Sequence, residues 1–232
     1  MVRGGDSGVL SAFFEVAQVV EACFVKVLHV QSSITEIERE RIIHIMKKRL
    51  FIGLALPNEI KKHLKREMEK ISPRLQDARV VKPDLWHITL LFLGYQEDEF
   101  LPAIIEALQK AGEAFSPPLI KFSHMATHPQ KKPRVLWVET DQATAEILRP
   151  IKNLLEESVL ASGLPLDPDI HPLRPHITLA RIEERARIEV NPISLTDSFE
   201  AETLELFESI LDANNGPEYI TLQRFAFGEK TD

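Results

Sequence analysis

The tetrapeptide His-Ile-Thr-Leu occurs twice in this 232-residue chain, at 87–90 and at 176–179, 89 positions apart. The chain's own composition predicts about 0.004 copies by chance, so two copies point to an internal duplication. Both lie in strand-like runs, WHITLLFL at 86–93 and HITLAR at 176–181. Side chains alternate faces along a strand. His87 and Thr89 therefore share one face, with Ile88 and Leu90 on the other. His176 and Thr178 are paired in the same way, backed by Ile177 and Leu179. Any fold of this chain must bury the isoleucine–leucine faces and present two imidazole–hydroxyl pairs on the opposite ones.

The flanking periodicity supplies the rest of the architecture. Strand-like runs are expected at 50–56, 78–81, 86–93, 118–124, 134–140, 176–181, 202–209 and 218–226. The 86–93 run is expected to stop at Gly94, and Asn214-Asn215-Gly216-Pro217 marks a turn between the last two runs. Helical spacing appears at 58–71 (Ile60, Leu64, Met68, Ile71), at 97–112 with Gly112 as its terminator, and at 142–161. Strand, helix, strand, strand recurs twice. This is an α+β pattern of antiparallel sheets, and duplication predicts two pseudo-symmetric lobes. Residues 9–30 have mixed helical amphipathicity. Met46-Lys47-Lys48-Arg49 followed by LFIGLAL looks like a natural beginning. Residues 1–45 are thus either an N-terminal appendage or an upstream extension from a misassigned start codon, and 46–232 form the bilobal domain.

Charge narrows the function. The chain carries a formal −7 overall, but residues 1–46 sum to −2, residues 47–137 to +6 and residues 138–232 to −11. Global acidity argues against a general polyanion binder, while the basic middle segment predicts one local anion-facing surface. Hydrophobic residues at 44% and charged residues at 27% exclude wholesale disorder. The single cysteine, Cys23, excludes an internal disulfide framework and a cysteine-based zinc site. No uncharged apolar run reaches about 18 residues, and the apolar stretch 11–30 is broken by Glu15, Glu21 and Lys26. The expectation is a cytoplasmic protein with no membrane association, a monomer.

The two pairs suit a phosphodiester. Two imidazoles with ordinary pKa near 6.5 can act as general acid and general base. Two hydroxyls can donate to the non-bridging oxygens, where charge grows in the transition state. No metal and no cofactor is required, and two histidines are few ligands for zinc. The sequence alone leaves open which histidine is the base.

With those residues in view, the chain resembles the 2H phosphoesterases, and within them the RNA 2′,3′-cyclic phosphodiesterase branch, historically called 2′–5′ RNA ligases. The resemblance spans 47–228 and rests on RLFIGLALP (49–57), WHITLLFLG (86–94), PRVLWV (133–138), RPHITLAR (174–181) and ESILDANNGPEYITLQRFAF (208–227). It implies two lobes around a pseudo-twofold axis with a central cleft. It also implies roles: His87 as proton donor to the leaving 3′ oxygen, His176 as acceptor from the attacking water, and Thr89 and Thr178 as phosphate ligands. The implied substrate is RNA ending in a 2′,3′-cyclic phosphate, or carrying a 2′–5′ linkage in the reverse, joining direction. A non-catalytic RNA-end or nucleotide binder would keep the same cleft.

Three further residues are candidates for RNA or phosphate contact. Arg181 has the right chemistry, but strict alternation puts it on the face away from His176 unless a bulge intervenes. Arg134 sits beside Lys131 and Lys132 in a basic loop. Tyr95, just after Gly94, is expected to be the exposed aromatic available for base stacking, whereas Trp86, Phe92 and Trp137 fit a core. His124, His128 and His171 are expected to be ordinary loop histidines, with His171 a candidate neighbour of His176.

Overall fold

The computed structural model describes residues 47–166, 172–184, 186, 188, 190–212 and 216–228. The expected segment 1–45, its helix at 9–30, and His171 lie outside the described residues. In chain order the elements are β1 (Lys48–Ala55), α1 (Asn58–Ile71), β2 (Ala78–Val80), β3 (His87–Gln96), α2 (Leu101–Ala114), β4 (Leu119–His128), β5 (Val135–Thr140), α3 (Gln142–Ala161), β6 (His176–Ile182), β7 (Ile193–Ser194), β8 (Ser198–Glu200), β9 (Thr203–Asp212) and β10 (Gly216–Ala226). Short 3₁₀ turns occupy 72–74, 83–85 and 98–100. None of the described helices is long and apolar enough to cross a membrane.

The strands form two sheets, one in the order β10-β9-β1-β3, the other β2-β6-β5-β4-β7 with β8 attached to β4. Every pairing is antiparallel. Helices cover the apolar faces. In α1 the buried residues are Ile60, Leu64, Met68 and Ile71, the predicted stripe, while its lysines face water. In α3 Asp141 caps the N-terminus by accepting from the Thr144 N–H at 2.8 Å, and Leu148, Ile151, Leu155 and Val159 are buried. One continuous core joins Leu54, Ile88, Leu136, Ile177 and these helix residues. Each fully buried leucine or isoleucine contributes roughly 1.5–3 kcal/mol.

The duplication is visible in the ladders themselves. In β1/β3 the partners are Ile52↔Leu91, Gly53↔Thr89, Leu54↔Ile88 and Ala55↔His87. In β5/β6 they are Leu136↔Ala180, Trp137↔Thr178, Val138↔Ile177 and Glu139↔His176. Leu90 and Leu179, the fourth residue of each motif, are each left over as a bulge at the same step. A bulge reverses the alternation beyond it. The residue five after each histidine, Phe92 and Arg181, thereby returns to the His–Thr face.

Three sequence expectations need correction. Gly94 does not end its strand. It takes φ +71° inside β3, which runs on to Gln96. Gly112 does not terminate α2, which continues to Ala114. Gly112 is buried where a Cβ would stand 2.8 Å from the Ala226 carbonyl oxygen, so it is a packing glycine against β10. His124 and His128 lie within β4 rather than in a loop.

Candidate active site

β3 and β6 bring both motifs to one cleft. His87, Thr89, His176 and Thr178 all line a cavity of about 550 Å³. Each isoleucine–leucine pair behind them is buried, with Ile88, Ile177 and Leu179 at 0% exposure. This anchors the motif strands and fixes which face meets the cleft.

The two histidines are held alike. The Nδ1–H of His87 donates to the Leu85 carbonyl at 2.7 Å, and that of His176 to the Arg174 carbonyl at 2.8 Å. Each contact reaches back two residues, so each motif sets the same tautomer and leaves Nε2 for chemistry. In the first pair Nε2 lies 3.1 Å from Thr89 Oγ1, which donates to it.

Their surroundings differ. His87 sits among aromatic rings: Phe51 at 4.7 Å, Tyr219 edge-on at 5.1 Å and Phe207 at 5.9 Å, with Phe51 stacked on Phe207. Burial pushes its pKa down to about 4, opposed by the hydrogen bond to Leu85 and reinforced by the charges of His176 and Arg181. His176 packs on Trp137 at 4.6 Å. The same indole carries the stacked ring of His128 and the guanidinium of Arg174, 4.7 Å from its centroid. Arg174 donates to Glu139 at 2.7 Å, and His124 stands 3.4 Å from the same carboxylate. Burial lowers the His176 pKa too. The hydrogen bond to the Arg174 carbonyl raises it, and the charges of Arg174 and Glu139 act in opposite directions.

A stability consequence follows for His87. An unfolded imidazole takes up a proton near pH 6.5 and the folded one near 4, so between these values the unfolded chain holds more protons. The stabilisation is complete above pH 6.5 and is lost as the pH falls through 4, on the order of 3 kcal/mol in all. Urea midpoints at pH 7 and pH 4.5 should show this loss in the wild type and less of it in His87→Leu. An equal acid loss in both would place the sensitive group elsewhere.

The cleft wall is cationic. Arg49, Arg79, Lys82 and Arg181 line it, and among the described residues no Asp or Glu does. Among the described residues none of the four has a carboxylate ion-pair partner. Arg79 of β2 lies directly opposite Arg181 of β6. Like charges opposite each other on a ladder are unfavourable, and a bound anion relieves the repulsion. Among the described residues no group of three or more His, Cys, Asp or Glu side chains converges as a metal site.

The candidates from the sequence are placed as follows. The bulge at Leu179 brings Arg181 into the cleft. Arg134 does not line it. That residue is exposed, pairs with Glu184 at 2.7 Å and belongs to a neighbouring groove. Tyr95 is half-buried and lines a different groove, which shares Thr89, Phe92 and His176 with the cleft. The exposed aromatic at the cleft is instead Phe92, 64% exposed, returned to the His87 face by the bulge at Leu90. Trp86 is core, its indole N–H donating to the Val81 carbonyl at 3.0 Å. Sequence reasoning missed Arg49, Arg79, Lys82 and the aromatic shell of Phe51, Phe207 and Tyr219. Their signal lies in strand pairing between distant segments, which no local pattern carries.

Paired imidazole–hydroxyl motifs across a bilobal cleft define a class, and known proteins agree with it. A family model described as LigT-like phosphoesterase matches residues 54–137. The chain is 30% identical over 185 residues to the RNA 2′,3′-cyclic phosphodiesterase of Thermus thermophilus, covering 77% of this chain and 89% of that protein. The structure is similar to the crystal structure of TT0787 of the same organism, with TM-score 0.69, 25% identity and coverage of 79% of this chain and 100% of the other. It is also similar to E. coli LigT complexed with 3′-AMP, with TM-score 0.64, 26% identity and coverage of 78% and 98%. The chain belongs to the LigT-like phosphoesterase family, within the 2H phosphoesterases.

Proposed function

We propose that this protein hydrolyses the 2′,3′-cyclic phosphate at the 3′ end of an RNA to a 2′-phosphomonoester. The observation that carries the proposal is the convergence of both His–Thr pairs on one cleft whose wall, among the described residues, holds four cations and no carboxylate. Relatives named RNA 2′,3′-cyclic phosphodiesterase, and a LigT structure holding 3′-AMP, support the choice of substrate.

In this scheme Thr89 and Thr178 donate to the non-bridging oxygens, and Arg181 adds its charge to the same phosphate. Nε2 of His176 takes a proton from water as the oxygen bonds to phosphorus. The P–O3′ bond breaks, and His87 gives a proton to the departing 3′ oxygen. Free His87 is neutral above about pH 4. As general acid it must acquire its proton together with the substrate, whose negative charge beside the ring raises the proton affinity. The same sequence with a 5′-hydroxyl in place of water would join that strand to the cyclic end through a 2′–5′ linkage, again with the 3′ oxygen leaving.

The test is a product assay. An oligoribonucleotide ending in a 2′,3′-cyclic phosphate is incubated with the protein in EDTA, and 2′- and 3′-monophosphate ends are separated. A 2′-phosphate product is expected at undiminished rate, because two imidazoles perform both proton transfers. A 3′-phosphate product would show that the other oxygen leaves. No turnover with binding retained would make the cleft a binding site.

A further inference from the structure

The catalytic cleft does not end at Arg79 and Arg181. Three chain segments that line it there continue outward into a second groove of about 830 Å³. From Arg79 the chain leads back to Asp77, Gln76 and Arg74. From Val135, a cleft residue, it leads back to Arg134, Lys132 and Lys131. From Arg181 it leads on to Glu184. The three are tied together at this point by the pairings Arg79↔Arg181 and Val135↔Arg181, and by the Ile182 N–H donating to the Arg134 carbonyl at 2.8 Å. At about 3.3 Å per residue, the groove begins roughly 10 Å from the Arg79–Arg181 pair.

The groove is basic in an acidic protein. Arg74, Lys131, Lys132 and Arg134 line it against Asp77 and Glu184, and only Arg134 of the four pairs with a described carboxylate. Arg74, Lys131 and Lys132 are all exposed. Cationic residues thus line both cleft and groove, which adjoin through these three segments at the end of the sheet where β2 and β5 begin and β6 ends. A 2′,3′-cyclic phosphate sits on the last ribose of its strand, so all remaining nucleotides lie on the 5′ side and must leave the cleft by some path.

Resting on the function proposed above, we infer that the groove lined by Arg74, Lys131 and Lys132 binds the phosphate backbone of the RNA strand on the 5′ side of its cyclic end. Contacts of this kind position a strand without reading its sequence. They make turnover depend on substrate length and on salt, with a slope of about 0.7 per phosphate contact for single strands.

The experiment compares a nucleoside 2′,3′-cyclic phosphate with an oligoribonucleotide of roughly eight residues carrying the same end. In the wild type, kcat/KM is expected to be higher for the oligonucleotide, and only that advantage should fall steeply with salt. The Lys131→Glu/Lys132→Glu double variant should lose about 10-fold or more on the oligonucleotide, lower its log–log salt slope by about 1.4, and leave the mononucleotide within about twofold. Arg74→Glu, on the opposite wall, should repeat the pattern with a smaller slope change. Equal wild-type kcat/KM for both substrates overturns the inference, as do variants that lose equally on both or on neither. If the wild type turns over neither substrate, the function proposed above fails, and this inference fails with it. If it turns over both with equal kcat/KM, only this inference fails; turnover of the mononucleotide alone overturns the RNA substrate as well.

Discussion

His87→Ala and His176→Ala are each expected to lower kcat on a cyclic-phosphate RNA end by about 10²–10⁴-fold, the range of a positioned general acid or base. KM should change far less, because Thr89, Thr178 and Arg181, the proposed phosphate ligands, remain in the cleft. The two variants will differ in stability. His87 fills a partly buried site between Phe51, Phe207 and Tyr219, so its removal leaves a gap in an aromatic cluster and should lower the melting temperature. His176 lies against Trp137 nearer the open side, and its loss should leave melting nearly unchanged. A folded His176→Ala protein with wild-type turnover would refute the paired-imidazole mechanism outright. The double variant should be little worse than the poorer single one, since in the proposed mechanism both proton transfers belong to one displacement.

Gly53→Ala is the second large effect, and it acts on the fold before the chemistry. Gly53 faces Thr89 across the β1/β3 ladder at the step of the bulge. A Cβ there would stand 2.5 Å from the Ile88 carbonyl oxygen. That oxygen is backbone, between His87 and Thr89, so relief requires β1 and β3 to separate. Overpacking of this type costs about 1–3 kcal/mol, a fall of about 2–12 °C in Tm for a domain of this size. Because the displaced strand carries the first His–Thr pair, kcat should fall as well. The equivalent position in the other lobe is Trp137, so the requirement belongs to this ladder and not to the repeat. An unchanged Tm and kcat in Gly53→Ala would show that the strands separate freely at this point.

Much of the fold was legible because the two motifs and the helical stripes are local patterns. Ile60, Leu64, Met68 and Ile71 could be assigned to one buried face without knowing what they bury against. The His–Thr faces followed from alternation alone. What could not be read was register. Whether Arg181 faces the cleft depends on Leu179 being left unpaired against β5, a property of two strands together. Phe92, and not Tyr95, stands exposed at the cleft for the same reason, on a bulge at Leu90. Gly112 looked like a helix end because glycine often is one. Its real constraint is the Ala226 carbonyl, more than a hundred residues later. Arg79 was invisible as a site residue until β2 was found beside β6.

The strand order of the first sheet also bears on the protein's birth. β1 and β3 are made early, but the other side of β1 is covered by β9, beyond which lies β10. Phe207 and Tyr219, which enclose His87, come with those two late strands. On the ribosome the growing chain must carry β1 with an unpaired edge while more than a hundred further residues are added, about ten seconds at ordinary elongation rates. Such an edge is an aggregation hazard while it lasts. The nascent polypeptide also lacks the walls of its first histidine until Phe207 and Tyr219 have been added. A message that stops before β9 therefore yields a chain without the enclosed His87 site, and phosphodiesterase activity awaits these two strands.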